Sequence, residues 1–238
     1  MSLESNIKKF YVYKFVRNFS FWLPIFVLFF LFKGMNYTQI MTFAVGQAIF
    51  QIIFEVPSGV FADFFGRKKT LILSAILSVF CFSFMYFGTN FYLFMVGYIF
   101  FGMSLAFNSG SDSAFLYDTL KSLKRENEYK KVEGRSVYYQ LMAMGLGSLV
   151  GGFLAKISLS LPVGLHIITG LISVAIALSF KEPPLYKESD DKDYFLHIKD
   201  AVRFAFNHPK VRLLILYSVF MMGIMIVSHR FLQPYLVI

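Results

Sequence analysis

The sequence predicts an all-α integral membrane protein, and three features lead to that fold class. Hydrophobic residues make up 57% of the 238 residues, and charged residues only 16%. The 42 residues from Thr70 to Ser111 contain no Asp, Glu, Lys or Arg. Runs of about 20 apolar residues, the length that a helix needs to cross a bilayer, recur along the chain. The sequence therefore predicts seven membrane-spanning helices.

Each predicted span is an apolar run bounded by a polar or glycine-containing turn. Pro24 is expected to kink the first span, and Pro57 with Gly59 to interrupt the second. Lys14 and Arg17 lie near the start of the first span and are expected to extend their charged ends toward the inner interface. In chain order, the spans cover residues 13–32, 38–64, 70–87, 91–117, 136–155, 158–180 and 211–238.

A polar segment follows the sixth span and changes the composition abruptly. It opens with Glu182-Pro183-Pro184, and its apolar residues have helical spacing: Phe195, Ile198, Val202 and Phe206. This pattern predicts an amphipathic helix on the inner membrane surface. The predicted organisation is a six-helix transmembrane bundle (1–182), a cytoplasmic linker (183–210) and a seventh transmembrane helix that starts an incomplete second bundle (211–238).

Basic residues collect on one side of the predicted spans. Of the 23 Lys and Arg residues, 20 flank the N-terminus or the second, fourth and sixth connections, whereas Lys33 and Lys156 lie on the opposite side. Because cytoplasmic loops are enriched in Lys and Arg, the N-terminus and the linker are expected in the cytoplasm and the protein in the plasma (inner) membrane. The net charge of +9 thus reflects orientation in a lipid bilayer, and no nucleic-acid partner is expected.

The turn between the second and third spans carries the most specific motif. The pattern Gly-x-x-x-Asp-Arg/Lys-x-Gly-Arg-Lys/Arg-x-x-Leu is matched by Gly59, Asp63, Gly66, Arg67, Lys68 and Leu71, with Phe64 in place of the first basic residue. On these residues the chain resembles the major facilitator superfamily, over essentially its whole length. The resemblance implies a transporter with two rocking halves. It also implies that this turn latches them in the outward-facing state. Asp118, near the inner end of span 4, is expected to pair with Arg67 or Lys68 as part of the latch.

Two further segments bear on a resemblance to a bacterial drug-efflux-like branch of that superfamily: one matches its pattern and one departs from it. Residues 145–152 of span 5 resemble the glycine motif of drug/proton antiporters, with Ser148 in place of proline. Plain helix packing explains its small residues equally well, namely Gly147, Gly151 and Gly152. In span 4, Tyr98 stands where such antiporters often carry an arginine, so the chain departs from their arginine-assisted proton relay.

Polar residues form stripes on two predicted spans. Gln47, Gln51 and Glu55 share one face of span 2, and Ser104, Asn108 and Asp112 share one face of span 4. Because polar groups are unfavourable in lipid, both stripes are expected to line a central cavity, within reach of Tyr139. Glu55 or Asp112 is hypothesised to bind a proton during transport. The alternatives are a helix–helix hydrogen bond for Glu55 and a cytoplasmic-side cation partner for Asp112.

These observations predict a secondary active transporter that exports a small molecule by proton antiport through alternating access. Solute/proton symport, uniport and a truncated, non-transporting membrane protein are the alternatives. No phosphate-binding loop, metal-spaced cluster or catalytic triad is evident, so no enzyme activity, catalytic residue, metal or cofactor is expected. The expected partners are the substrate, protons, the bilayer, and a missing C-terminal half or a second copy.

Overall fold

A computed structural model describes residues 3–184, 204 and 207–235. Contacts divide the chain into two units, Met1–Leu185 and Tyr186–Ile238. The predicted amphipathic helix of the linker lies almost entirely outside the described residues. The predicted boundaries at 182 and 210 stay predictions.

The described residues of the first unit form eight α-helices, and those of the second unit form one. Short 3-10 turns precede α2 and α7, at Leu23–Ile25 and Glu126–Glu128. The helices are α1 (Glu4–Arg17), α2 (Phe26–Phe32), α3 (Tyr37–Phe65), α4 (Arg67–Phe87), α5 (Phe91–Asn108), α6 (Ser111–Ser122), α7 (Tyr129–Ala155), α8 (Leu161–Leu178) and α9 (Pro209–Tyr235).

Five helical segments of the described chain are long and apolar enough to cross a membrane, and Leu23–Phe32 is a shorter apolar helix. The five are Tyr37–Phe65, Arg67–Phe87, Phe91–Ser122, Glu126–Ala155 and Leu161–Leu178. They correspond to the second to sixth predicted spans. The predicted all-α membrane fold is therefore confirmed.

The first predicted span is two helices, so the prediction of one kinked helix was wrong. Helix α1 ends at Arg17, the chain turns through residues 18–22, and Pro24 lies in the first turn of the 3-10 helix that leads into α2. Proline suits a first helical turn because its missing N–H would have no intrahelical partner there. The proline therefore starts a new helix instead of bending an existing one.

The second and fourth predicted spans also differ from expectation. Helix α3 runs without interruption through Pro57 and Gly59, so the predicted break there was wrong. The Ser58 hydroxyl donates to the Ala106 carbonyl at 3.0 Å and holds this part of α3 against α5. The break occurs instead in the fourth span, at Gly110, whose φ of +69° favours glycine and separates α5 from α6.

Two buried aromatic clusters make up the core. One is formed mainly by α2 to α5 and contains Phe30, Phe43 and Tyr98. The other joins α1, α4, α6, the start of α7 and the end of α8, and it contains Phe10 and Phe115. Along α4, the buried Ser74 lies between the residues of the two clusters, and Lys14 of α1 and Ser104 of α5 are buried polar residues as well. The bundle therefore has a polar layer between two apolar ones.

Candidate functional site

An ion pair lies inside the polar layer, between α1 and the start of α6. Lys14 Nζ is 2.5 Å from Asp112 Oδ2, and the two residues are only 6% and 8% exposed. The Asn108 amide donates to the same carboxylate oxygen at 3.3 Å. The Ser113 backbone N–H donates to Asp112 Oδ1 at 2.8 Å. Both oxygens of the buried carboxylate therefore accept hydrogen bonds.

Arg17 lies one helical turn after Lys14 and joins α1 to α4 and α5. Its Nη2 donates to Ser74 Oγ at 2.7 Å and to Ser104 Oγ at 3.1 Å. Each serine hydroxyl in turn donates to the other serine's carbonyl, at 2.7 and 2.8 Å. Arg17 thus donates to two serines that are themselves joined by two hydrogen bonds between α4 and α5.

The expectation that Lys14 and Arg17 reach toward the inner interface was wrong. Both side chains have their partners on α4, α5 and α6, inside the bundle. Helix α1 ends at Arg17, before the aromatic cluster of α2 begins. The two charged side chains therefore lie in the polar layer, where Asp112, Ser74 and Ser104 are available as partners. Sequence alone treats them as the start of a continuous span and misses this pairing.

The remaining predicted cavity residues are placed apart from the ion pair. Glu55 is exposed, and its Oε1 accepts a hydrogen bond from the Ser109 hydroxyl at 2.7 Å. Gln47 and Gln51 are half-buried, and their backbones pack against Gly102 of α5. Tyr139 is half-buried with its ring 5.4 Å from that of Tyr11. Asn108 and Asp112 are the predicted cavity residues that share a hydrogen bond.

The predicted latch residues meet where α3 turns into α4. Arg67 Nη2 is 2.7 Å from Asp63 Oδ1, and Arg67 Nε is 3.7 Å from Asp118 Oδ2. Gly66 has a φ of +101°, a left-handed value that favours glycine. Gly59 is a half-buried residue within α3, four residues before Asp63.

Glu182 completes this turn, although the sequence analysis did not place it in the site. Its Oε1 accepts a hydrogen bond from the Lys68 backbone N–H at 3.1 Å, at the start of α4. A Cβ atom on Gly66 would lie only 2.7 Å from the Glu182 carboxyl carbon. Burial raises the pKa of Glu182, opposed by the hydrogen bonds from the Lys68 and Arg67 backbone N–H groups. The carboxylate caps α4, where the helix dipole favours a negative charge.

The glycines of the span 5 motif differ in their surroundings. Gly147 and Gly151 of α7 face the turn after α1, and a Cβ atom would meet the backbone of Ser20 at Gly147 and the Phe21 carbonyl at Gly151. Gly152 has open space at that position. Close approach to the turn after α1 thus accounts for two of the three glycines.

Tyr98, at the position where an arginine would support a proton relay, lies in the aromatic core. Its ring is 1% exposed and stacks on Phe43 with centroids 5.2 Å apart. The residue therefore packs within the apolar layer. Within the part of the chain that the structure describes, no group of three or more His, Cys, Asp or Glu residues could hold a metal ion.

Membrane-length helices around a buried charge layer define a polytopic α-helical membrane protein. The sequence profile of the Major Facilitator Superfamily matches residues 11–237, and the chain belongs to this superfamily. It is 25% identical over 218 residues to a Bacillus subtilis (strain 168) protein named uncharacterized MFS-type transporter YxaM. That alignment covers 90% of this chain and 54% of the relative. The chain thus spans about half the length of the relative that it matches.

Proposed function

We propose that the protein is a secondary active transporter of a small molecule and that its first six predicted spans form one half of an alternating-access carrier. The observation that carries this proposal is the buried Lys14–Asp112 ion pair. Charges within a membrane bundle are unfavourable unless paired, and they commonly mark substrate or proton pathways. This pair also lies beside two helix breaks, after Arg17 and at Gly110, where helices can change direction.

Asp112 is the group that we propose to exchange a proton. Protonation of its Oδ2 removes the attraction to the Lys14 ammonium, so α1 and α6 can separate while the charge of the site changes. Release of the proton restores the pair. In the antiport direction, proton uptake accompanies the outward release of substrate. Glu55, bonded to Ser109, is the second proton-binding candidate.

The Asp63–Arg67–Asp118 network is proposed to hold the cytoplasmic ends of the helices together in the outward-facing state. It ties the end of α3 and the start of α4 to α6, while Glu182 ties the residues after α8 to the same turn. Reopening toward the cytoplasm requires these contacts to be broken or rearranged. Lys68 contributes through its backbone N–H in the state described.

Alternating access also needs a second bundle to face the first across the substrate. We propose that another stretch of polypeptide supplies it, either a C-terminal half of the same product or a second copy of the chain. We also propose that the N-terminus lies in the cytoplasm and the protein in the plasma membrane, which the distribution of basic residues supports. Crosslinking in native membranes followed by mass measurement distinguishes the two sources.

Everted membrane vesicles containing the native protein test the proton step, with ethidium as a cationic probe substrate. We expect ethidium addition to dissipate part of the pH gradient, and Asp112→Asn to reduce this proton flux at least tenfold. Glu126→Gln, which removes an exposed carboxylate, is the matched control and should leave the flux unchanged. Full proton-coupled flux in both Asp112→Asn and Glu55→Gln, each with the control's expression level, would refute proton exchange at these groups.

Uniport or solute/proton symport is the second candidate, favoured by the packing of Tyr98 in the aromatic core, where an antiporter arginine could supply a charge. Uniport predicts that ethidium exchange continues at an unchanged rate after the pH gradient is collapsed. Symport predicts that an inward proton gradient, with the outside more acidic, accelerates uptake of the probe. Antiport predicts acceleration of its export.

A further inference from the structure

A cleft of about 360 Å³ lies between the first turns of α1 and α7. On α1 it is lined by Glu4, Ile7, Lys8 and Tyr11, which recur at the spacing of one helical face. On the other side it is lined by Arg125, Glu128, Lys131, Val132 and Arg135, just before and along the start of α7. Both walls are at the end of the bundle where basic residues collect.

The carboxylates of this cleft are already paired. Arg125 forms two bonds of 2.7 Å to the two Glu128 oxygens, and its Nη1 lies 3.6 Å from Glu4 Oε1. Within the described residues, no carboxylate oxygen lies within 4.0 Å of Lys8, Lys131 or Arg135. Arg135 lies near Tyr11, and its charge opposes the rise that burial gives the pKa of the Tyr11 hydroxyl. Four cations and two carboxylates thus leave a positive cleft that contains hydrogen-bond donors.

The charge and donor set suits a phosphate group. A guanidinium and two ammonium groups provide several N–H donors to one anion, and their attraction for phosphate increases in a partly enclosed site. Ile7 and Val132 are buried at the base of the cleft and limit its depth. The anion is therefore expected at the rim, among Lys8, Lys131 and Arg135.

The surface beyond the cleft indicates a lipid and not a free phosphate. Past Arg135, the exposed residues of α7 become apolar: Tyr138 is 61% exposed and Leu149 is 64% exposed. A phospholipid whose phosphate lies in the cleft can lay its acyl chains along this part of α7. Basic pockets between helices at the cytoplasmic membrane surface bind anionic headgroups in this way.

We infer that the cleft between α1 and α7 is a binding site for an anionic phospholipid, with Lys8, Lys131 and Arg135 holding the headgroup phosphate. This inference depends on the membrane orientation proposed above but not on proton coupling or transport. The site would couple the position of α1, which also carries Lys14, to the lipid composition of the inner leaflet.

Native mass spectrometry of the full chain in detergent, titrated with dioleoyl phosphatidylglycerol or dioleoyl phosphatidylcholine, tests the inference. We expect at least one phosphatidylglycerol to bind in preference to phosphatidylcholine. Neutralising a basic residue at the membrane surface weakens anionic-lipid binding by about fivefold. Lys131→Gln/Arg135→Gln should therefore weaken phosphatidylglycerol binding by about 25-fold.

The matched control is Lys69→Gln/Lys130→Gln, which removes the same charge from exposed positions outside the cleft. It should retain the preference for phosphatidylglycerol. Equal losses in the two double variants, equal binding of the two lipids, or displacement of phosphatidylglycerol by equimolar glycerol 3-phosphate would each overturn the lipid site. A melting temperature equal to that of the parent protein establishes that the Lys131→Gln/Arg135→Gln variant is folded.

Discussion

At the scale of single residues, Lys14 and Asp112 connect the stability of the bundle to its proposed mechanism. Two buried opposite charges compensate each other, but removing one leaves the other without a partner in a layer shielded from water. The cost of keeping a lone charge there exceeds the net benefit of the pair. Because each charge depends on the other, protonation of the Asp112 carboxylate would weaken the pair in the same way.

Asp112→Asn is expected to destabilise the folded protein by about 3–5 kcal/mol, because it leaves the Lys14 ammonium buried and unpaired. The double variant Lys14→Gln/Asp112→Asn should recover part of that loss. Thermal unfolding in detergent measures Asp112→Asn, Lys14→Gln and the double variant, with Glu126→Gln as a control at an exposed carboxylate. A double variant that equals the sum of the two single changes would show that the residues do not interact.

At the scale of helices, glycines of α7 allow the turn after α1 to pack closely against this helix. Gly151 allows α7 to approach the Phe21 carbonyl, while its neighbour Gly152 faces open space. The two positions have the same residue type and helical conformation, and they differ in what surrounds them. Substituting alanine at each position therefore distinguishes the effect of close packing at Gly151 from the effect of helix propensity alone at Gly152.

Gly151→Ala is expected to destabilise the protein by about 1–3 kcal/mol, because its methyl group would overlap the Phe21 carbonyl. Gly152→Ala should be neutral or stabilising by up to about 1 kcal/mol, since alanine favours the helix. For a chain of this size, each kcal/mol corresponds to about 2–4 °C in melting temperature. Equal melting temperatures for the two variants would contradict the close contact.

At the scale of the whole molecule, the proposed orientation places the turn between α4 and α5 outside and the start of α7 in the cytoplasm. Cys81 is buried and is the chain's single cysteine, so Cys81→Ser gives a cysteine-free background. In that background, Thr89→Cys and Lys130→Cys place thiols at exposed positions that the proposed orientation puts on opposite sides of the membrane.

A membrane-impermeant maleimide applied to intact cells is expected to label the cysteine at position 89 but not the one at 130. Permeabilisation should then expose position 130, because the proposed orientation puts the basic end of the bundle in the cytoplasm. Labelling of position 130 alone in intact cells would invert the proposed orientation. Labelling of both in intact cells would show that the two positions lie on the same side of the membrane.

Sequence by itself determined the membrane class and the positions of the second to sixth spans. Long apolar runs have no stable alternative to helices in lipid, because every backbone polar group must be bonded within the segment. The motif between α3 and α4 likewise indicated the superfamily, since its glycine and charges serve one local turn. These are local properties, and local patterns predict them.

Tertiary structure decided where helices break and which charges meet. Pro24 and Pro57 have the same chemistry, yet one starts a helix and the other lies within one, because the surrounding packing differs. Lys14 pairs with Asp112 across 98 residues, and Glu182 caps α4 across 114. Such partners depend on how the helices are arranged, and hydrophobic periodicity carries no information about that arrangement.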